Sequence, residues 1–135
     1  MNCESDCGTC PNDRCEPAIN TSNSGRHKAG ENCRRCHDGS GKPPFFSIAG
    51  TLYDGINSST PVVGATIHII DARGRELKLT TYQNGNFYSR DSNIVFPVTT
   101  FASRCPDVQD MSDPVSQSGG GCNSCHTSGD RIHLP

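Results

Sequence analysis

Val63-Gly64-Ala65-Thr66-Ile67-His68-Ile69-Ile70 decides the fold. Val63, Ala65, Ile67 and Ile69 fall on one side of an extended chain, and Thr66, His68 and Ile70 fall on the other. A period of two with one apolar side is the mark of a strand lying on a core. Upstream the pattern repeats in Phe46, Ile48, Gly50 and Leu52, after which Asp54-Gly55 turns the chain. Downstream, Asp71 to Gly74 reads as a turn, and Leu77, Leu79 and Thr81 alternate with Glu76, Lys78 and Thr80. Asn84-Gly85 is the strongest hairpin signal, returning through Phe87. Ile94, Phe96 and Val98 predict a further strand, with Pro97 marking an edge or a bulge. Five or more short strands separated by turn signals predict a mainly β fold, a small antiparallel sandwich over residues 45–104. No stretch carries helical periodicity.

The flanks of this stretch carry the chemistry. Cys33-Arg34-Arg35-Cys36-His37 precedes it, and Cys122-Asn123-Ser124-Cys125-His126 follows it. Cys-x-x-Cys-His is the attachment signature of c-type haem. Two thiols at this spacing reach the two vinyl groups on one side of a porphyrin and form thioethers. The adjoining His is then carried under the iron as proximal ligand. Two covalently attached haem c groups are therefore expected, held by Cys33, Cys36, Cys122 and Cys125, with His37 and His126 on the irons. A zinc site of four thiolates and a dithiol redox pair use the same Cys spacing. Neither needs a His directly after the second Cys, and both motifs have one.

Three histidines remain as distal candidates: His27, ten residues before His37; His133, seven residues after His126; and His68. His68 also reads as an ordinary solvent-facing strand residue. Met111 is a weaker axial candidate. Two sixth ligands would saturate both irons, which suits electron transfer and leaves no open position for catalysis on a small molecule. The expectation is an electron carrier and not an enzyme. The competing readings are a haem peroxidase or reductase with one open iron, and a haem-free structural module with metal-bound cysteines.

Composition sets the compartment and the class of partner. Hydrophobic residues make up 32% of the 135-residue chain, Trp is absent, and there are 14 Gly and 9 Pro. That is a thin apolar supply, of the kind usually supplemented by disulfides or cofactors. Nine cysteines argue for an oxidising compartment. Haem attachment uses four of them and leaves Cys3, Cys7, Cys10, Cys15 and Cys105 as disulfide candidates, an odd number that leaves one thiol over. In Cys7-Gly8-Thr9-Cys10 the next residue is Pro11, so a third haem there would lack its proximal ligand. A net charge of −2 suggests no nucleic acid partner. No apolar run is long enough for a membrane span. Since c-type attachment occurs outside the cytoplasm, the chain is expected to be extracytoplasmic, at the cell surface or beyond it, with an export signal already removed.

By organisation, residues 1–26 form a cysteine-rich arm, 27–44 the first haem-binding segment, and 105–135 the second. The arm cannot build a core alone, and disulfides or a neighbouring subunit would have to hold it.

Ile48-Ala49-Gly50-Thr51-Leu52-Tyr53, Pro61-Val62-Val63-Gly64-Ala65-Thr66-Ile67, Leu79-Thr80-Thr81 and Asn84-Gly85-Asn86-Phe87-Tyr88 together resemble a carboxypeptidase regulatory-like domain. The resemblance covers roughly residues 46 to 101 and implies a small immunoglobulin- or transthyretin-like sandwich, not an activity. The flanks, with His27-Lys28-Ala29-Gly30, Pro114-Val115-Ser116 and the closing Arg131-Ile132-His133-Leu134-Pro135, are similar to bacterial surface c-type cytochromes in which such a sandwich lies between two haem motifs. The cysteine-rich arm departs from that pattern. The resemblance implies redox proteins or extracellular acceptors as partners. By likeness to extracellular cytochrome filaments, it also implies head-to-tail self-assembly, with a small diffusing periplasmic carrier as the alternative.

Overall fold

The computed structural model describes residues 14–21, 46–91, 93–111, 114–115, 122, 126 and 131–135. Seven strands follow in chain order: β1 (Ile48–Tyr53), β2 (Thr66–Ile70), β3 (Glu76–Thr80), β4 (Asn86–Ser89), β5 (Thr99–Arg104), β6 (Asp107–Asp110) and β7 (Ile132–His133). They form a three-stranded sheet in the order β4-β1-β7 and a four-stranded sheet in the order β3-β2-β5-β6. All neighbours are antiparallel except β1 and β7, which run parallel. The described residues contain no α-helix. The chain is mainly β, a small two-sheet sandwich.

The period-two reading of β2 is what closes it. Ile67 and Ile69 point inward with Ala102 of β5, and they meet Ile48, Leu52 and Phe87 of the other sheet. Val62, Val98, Val115 and Leu134 close the rim. Ile48, Leu52, Ile69 and Val98 are at most 1% exposed, and burying each such side chain contributes about 1.5–3 kcal/mol.

Three local expectations change. Asn84-Gly85 does make a tight reversal, with Gly85 N–H donating to Tyr82 O at 2.9 Å and Tyr82 N–H to Asn86 O at 2.9 Å. The strands on either side nevertheless belong to different sheets, because β4 pairs with β1 and β3 with β2. Turn residues specify a reversal, whereas the pairing partner is chosen by the apolar face. Residues 94–98 are not a strand. Only Val98 bridges, to Val115, since Pro97 has no N–H to give a ladder, and the strand starts at Thr99. The β5–β6 hairpin and β7 have no counterpart in the sequence pattern. β6 and β7 extend the sheets into residues expected to serve only the second haem segment.

The β2–β3 hairpin is organised by Asp71. Its Oδ1 accepts from Arg73 N–H at 2.9 Å and Arg75 N–H at 3.0 Å, and its Oδ2 faces Arg73 Nη2 at 3.4 Å. Burial pushes this carboxyl up, but the amides of Arg75, Val95 and Arg73, with the Arg73 guanidinium, outweigh it and hold it below the ordinary carboxylate value. A lowered folded pKa means that the group stabilises the fold above its unfolded value, about 3.9, and loses that contribution as pH falls further. Asp71→Asn should therefore flatten the loss of stability below about pH 4, read as a smaller drop in urea midpoint between pH 7 and pH 3 than in the parent. An unchanged drop would assign the acid sensitivity to other groups.

Residues 14–21 form a strap across the outer face of the four-stranded sheet. Cys15 and Cys105 are joined, Cα to Cα 5.1 Å. Arg14 pairs with Asp110 and lies over the Phe101 ring at 4.4 Å. Glu16 bonds Lys78 Nζ at 2.6 Å, and its carbonyl accepts from Cys105 N–H at 2.9 Å. Further along, Ile19 N–H donates to Gly64 O at 2.8 Å. Gly64, at φ +73°, has the Ile19 backbone where a side chain would stand, so only glycine lets the strap lie this close. Part of the expected arm is thus an integral layer of the sandwich.

Candidate functional site: the Cys122–His126 turn and its cavity

Much of the predicted haem chemistry falls on residues outside the described ones: His27, Cys33, Cys36, His37 and Cys125, with the disulfide candidates Cys3, Cys7 and Cys10. Cys122, His126 and His133 are described, and all three line one cavity.

His126 N–H donates to Cys122 O at 3.0 Å, closing a turn between the first and last residues of the motif. Cys122 packs against the core cluster. Gly50 of β1 makes room for it: a Cβ there would stand 2.7 Å from the Phe87 ring, 2.9 Å from Cys122 Cβ and 3.2 Å from Ile132 Cδ1. At sequence level Gly50 reads as one more inward position of a strand. Its actual role, admitting the haem-motif cysteine beside the core, depends on a residue more than seventy positions later.

The C-terminal residues are fastened next to this turn. Leu52 pairs with Ile132 and Tyr53 with His133. Arg131 N–H donates to Ile56 O at 2.9 Å, and Leu134 N–H to Tyr53 O at 3.1 Å. The Arg131 guanidinium lies over the Tyr53 ring at 4.4 Å, and Leu134 is buried. His133 is therefore held by a parallel ladder, not carried on a loose tail. Its Nδ1 lies 3.2 Å from Leu134 O. A carbonyl can only accept, so Nδ1 carries the proton and the neutral ring keeps its lone pair on Nε2. A ring nitrogen donating to a carbonyl while the other is left for a metal is the usual posture of a ligating histidine.

Cys122, His126 and His133 line one cavity of about 150 Å³, together with Met111, Phe87 and Phe101. The wall is mainly apolar, formed by Ile48, Ile67, Ala102 and Val115 as well. Met111 is fixed there by its amide, which donates to Thr100 O at 3.1 Å, and Thr100 Oγ1 donates to its sulfur at 3.7 Å. Met111 carries little weight at sequence level, since its neighbours are loop-forming residues. The β5–β6 hairpin returns it to the cavity. Asp110, also at the cavity, is held below the usual carboxylate range by its hydrogen bond to Arg14.

The described donors, the Cys122 thiol, the His126 and His133 imidazoles and the Met111 thioether, are of the types that a covalent haem takes. A cavity of this size encloses a single small ring, well short of a macrocycle. Thioether tethering is suited to that situation, because attachment does not depend on an enclosing pocket. Among the described residues, no three His, Cys, Asp or Glu side chains cluster as ligands for a metal ion.

His68 lies elsewhere and in a different environment. It is not solvent-facing: it is 2% exposed, covered by the strap and stacked on Phe101 at 4.0 Å. Its Nδ1 lies 2.8 Å from Glu76 Oε2 and its Nε2 2.8 Å from Ser103 Oγ. Both nitrogens are already engaged, so iron ligation through either one would require breaking its contact, to Glu76 or to Ser103. No family model, curated protein or solved structure matches this chain.

Proposed function

We propose that the chain is a dihaem c-type cytochrome that transfers electrons outside the cytoplasm. The observation that carries this is the pair of Cys-x-x-Cys-His motifs. It is supported by the Cys122–His126 turn, which faces a cavity shared with His133. Haem iron, when bound, supplies a one-electron ferric–ferrous couple. The chain's own residues do the rest. Cys122 and Cys125 would tether the second group, and His126 and His133 Nε2 would hold its iron, while Leu134 O accepts from His133 Nδ1–H. The core side chains around the cavity keep water from that side, which tunes a redox centre through its dielectric surroundings. Cys33, Cys36 and His37 take the same roles at the first motif, with His27 as its distal candidate.

The Cys15–Cys105 pairing supports an oxidising compartment. No helix among the described residues is long and apolar enough to cross a membrane. Head-to-tail assembly gains nothing from the strap, since residues 14–21 of the arm are docked and disulfide-closed on their own sandwich.

Carbon monoxide binding to the dithionite-reduced protein is the test. The parent should show a low-spin spectrum and take up no carbon monoxide. His133→Ala should open one of two irons to it. Binding by the unmodified protein would favour the open-iron enzyme, and a protein without a haem spectrum would end the reading.

A further inference from the structure

The outer face of the four-stranded sheet holds a second constellation, which electron transfer does not use. Glu76 is a carboxylate and accepts only, so the 2.8 Å contact to His68 Nδ1 places the imidazole proton on Nδ1. His68 Nε2 then carries the lone pair and accepts from Ser103 O–H across 2.8 Å. Hydroxyl to imidazole to carboxylate is the connectivity of an activated serine nucleophile, recognised by geometry and not by sequence order. The sheet builds it from three adjacent strands: Glu76 on β3, His68 on β2 and Ser103 on β5. Phe101, stacked on His68 with an interplanar angle of 8°, fixes the ring. Thr66 is the register partner of Ser103. Its hydroxyl is buried and is the one such side-chain atom among the described residues without a hydrogen-bond partner. An unspent donor beside the nucleophile is what a developing oxyanion needs.

Two features keep the serine silent. Ser103 is 0% exposed, and Glu16 N–H of the strap donates to its Oγ at 3.0 Å. The strap is locked next to this contact by the disulfide between Cys15, which precedes Glu16, and Cys105, two residues after Ser103. We infer that Ser103, His68 and Glu76 form a latent acyl-transfer site for small esters, capped by residues 14–21 and uncovered when a dithiol reduces the Cys15–Cys105 bond. The dithiol supplies two electrons, becoming a disulfide while Cys15 and Cys105 become thiols. In the uncovered site Ser103 Oγ bonds to the ester carbonyl carbon and its proton passes to His68 Nε2. The ester C–O bond then breaks, and that proton leaves with the alkoxide. Water, deprotonated by His68, releases the acid and restores Ser103.

The test uses the full-length holoprotein and a fluorophosphonate, with phosphonylated Ser103 located by peptide mass mapping. Without dithiothreitol, Ser103 should remain unlabelled. With it, Ser103 should be labelled, and His68→Gln, which keeps a side chain that can bond Ser103 and Glu76, should slow labelling by about 10²–10⁴-fold. Hydrogen exchange at the Cys105 amide, which donates to Glu16 O, reports whether the strap has lifted. An amide that stays protected after reduction overturns the latch. An exchanging amide with unlabelled Ser103, or labelling that is equally fast in His68→Gln, overturns the site. None of these readouts depends on the haem assignment.

Discussion

Denatured protein, stripped of everything not covalently bound, should weigh two haems more than its polypeptide. The expectation follows from four thiols placed in pairs, each pair followed by His, because thioethers survive acid and organic solvent whereas axial bonds do not. Cys122→Ser should impair attachment at the second motif and leave the first haem in place, so the increment falls towards one haem. The same variant reports on the cavity. Cys122 packs on the core beside Gly50 and Ile132, and losing its tether should free the second haem from the His126–His133 side while the sandwich stays folded. An increment of one haem or none in the unmodified protein would remove the dihaem reading altogether. Loss of both haems in Cys122→Ser would mean that the two motifs do not act independently.

The second large effect is expected at the strap. Cys15 and Cys105 are separated by 90 residues, and cross-linking a loop of that length restricts the unfolded chain by about 2–5 kcal/mol. The Cys15→Ser, Cys105→Ser double variant should therefore lose about that much stability, a fall of at least about 5 °C in Tm for a domain of this size. Arg14–Asp110 and Glu16–Lys78 are exposed pairs, and such pairs contribute little alone. Without the disulfide the strap should exchange its amides well before the core strands do. A Tm unchanged by the double variant would mean that the strap contributes nothing to the cooperative fold.

What is legible in the sequence divides along physical lines. Period-two alternation in Ile48–Tyr53, Thr66–Ile70 and Glu76–Thr80 places three strands, and the inward face of β2 follows because Ile67 and Ile69 have nowhere to go but a core. The two Cys-x-x-Cys-His motifs are read from local spacing, five consecutive residues each, and the haem they point to remains part of the proposal. The polar strands are not legible. Thr99–Arg104 and Asp107–Asp110 lack a strong apolar face, and Ile132–His133 is too short for periodicity.

Everything that depends on residues distant in sequence is settled by the tertiary structure alone. The Asn84-Gly85 turn looks like a hairpin locally, yet it feeds two different sheets, since β4 finds its partner in β1. Five leftover cysteines permit many pairings, and only the approach of the strap to the β5–β6 turn selects Cys15 with Cys105. His68 has an outward-facing position in its strand. It is buried because residues 14–21, more than forty positions earlier, lie across it. By itself the sequence determined the mainly β class and the faces of its apolar strands. The fold decided which histidine shares a cavity with Cys122 and which is sealed between Glu76 and Ser103. Strand pairing and strap docking act between side chains far apart along the chain, and no short window of sequence contains both partners.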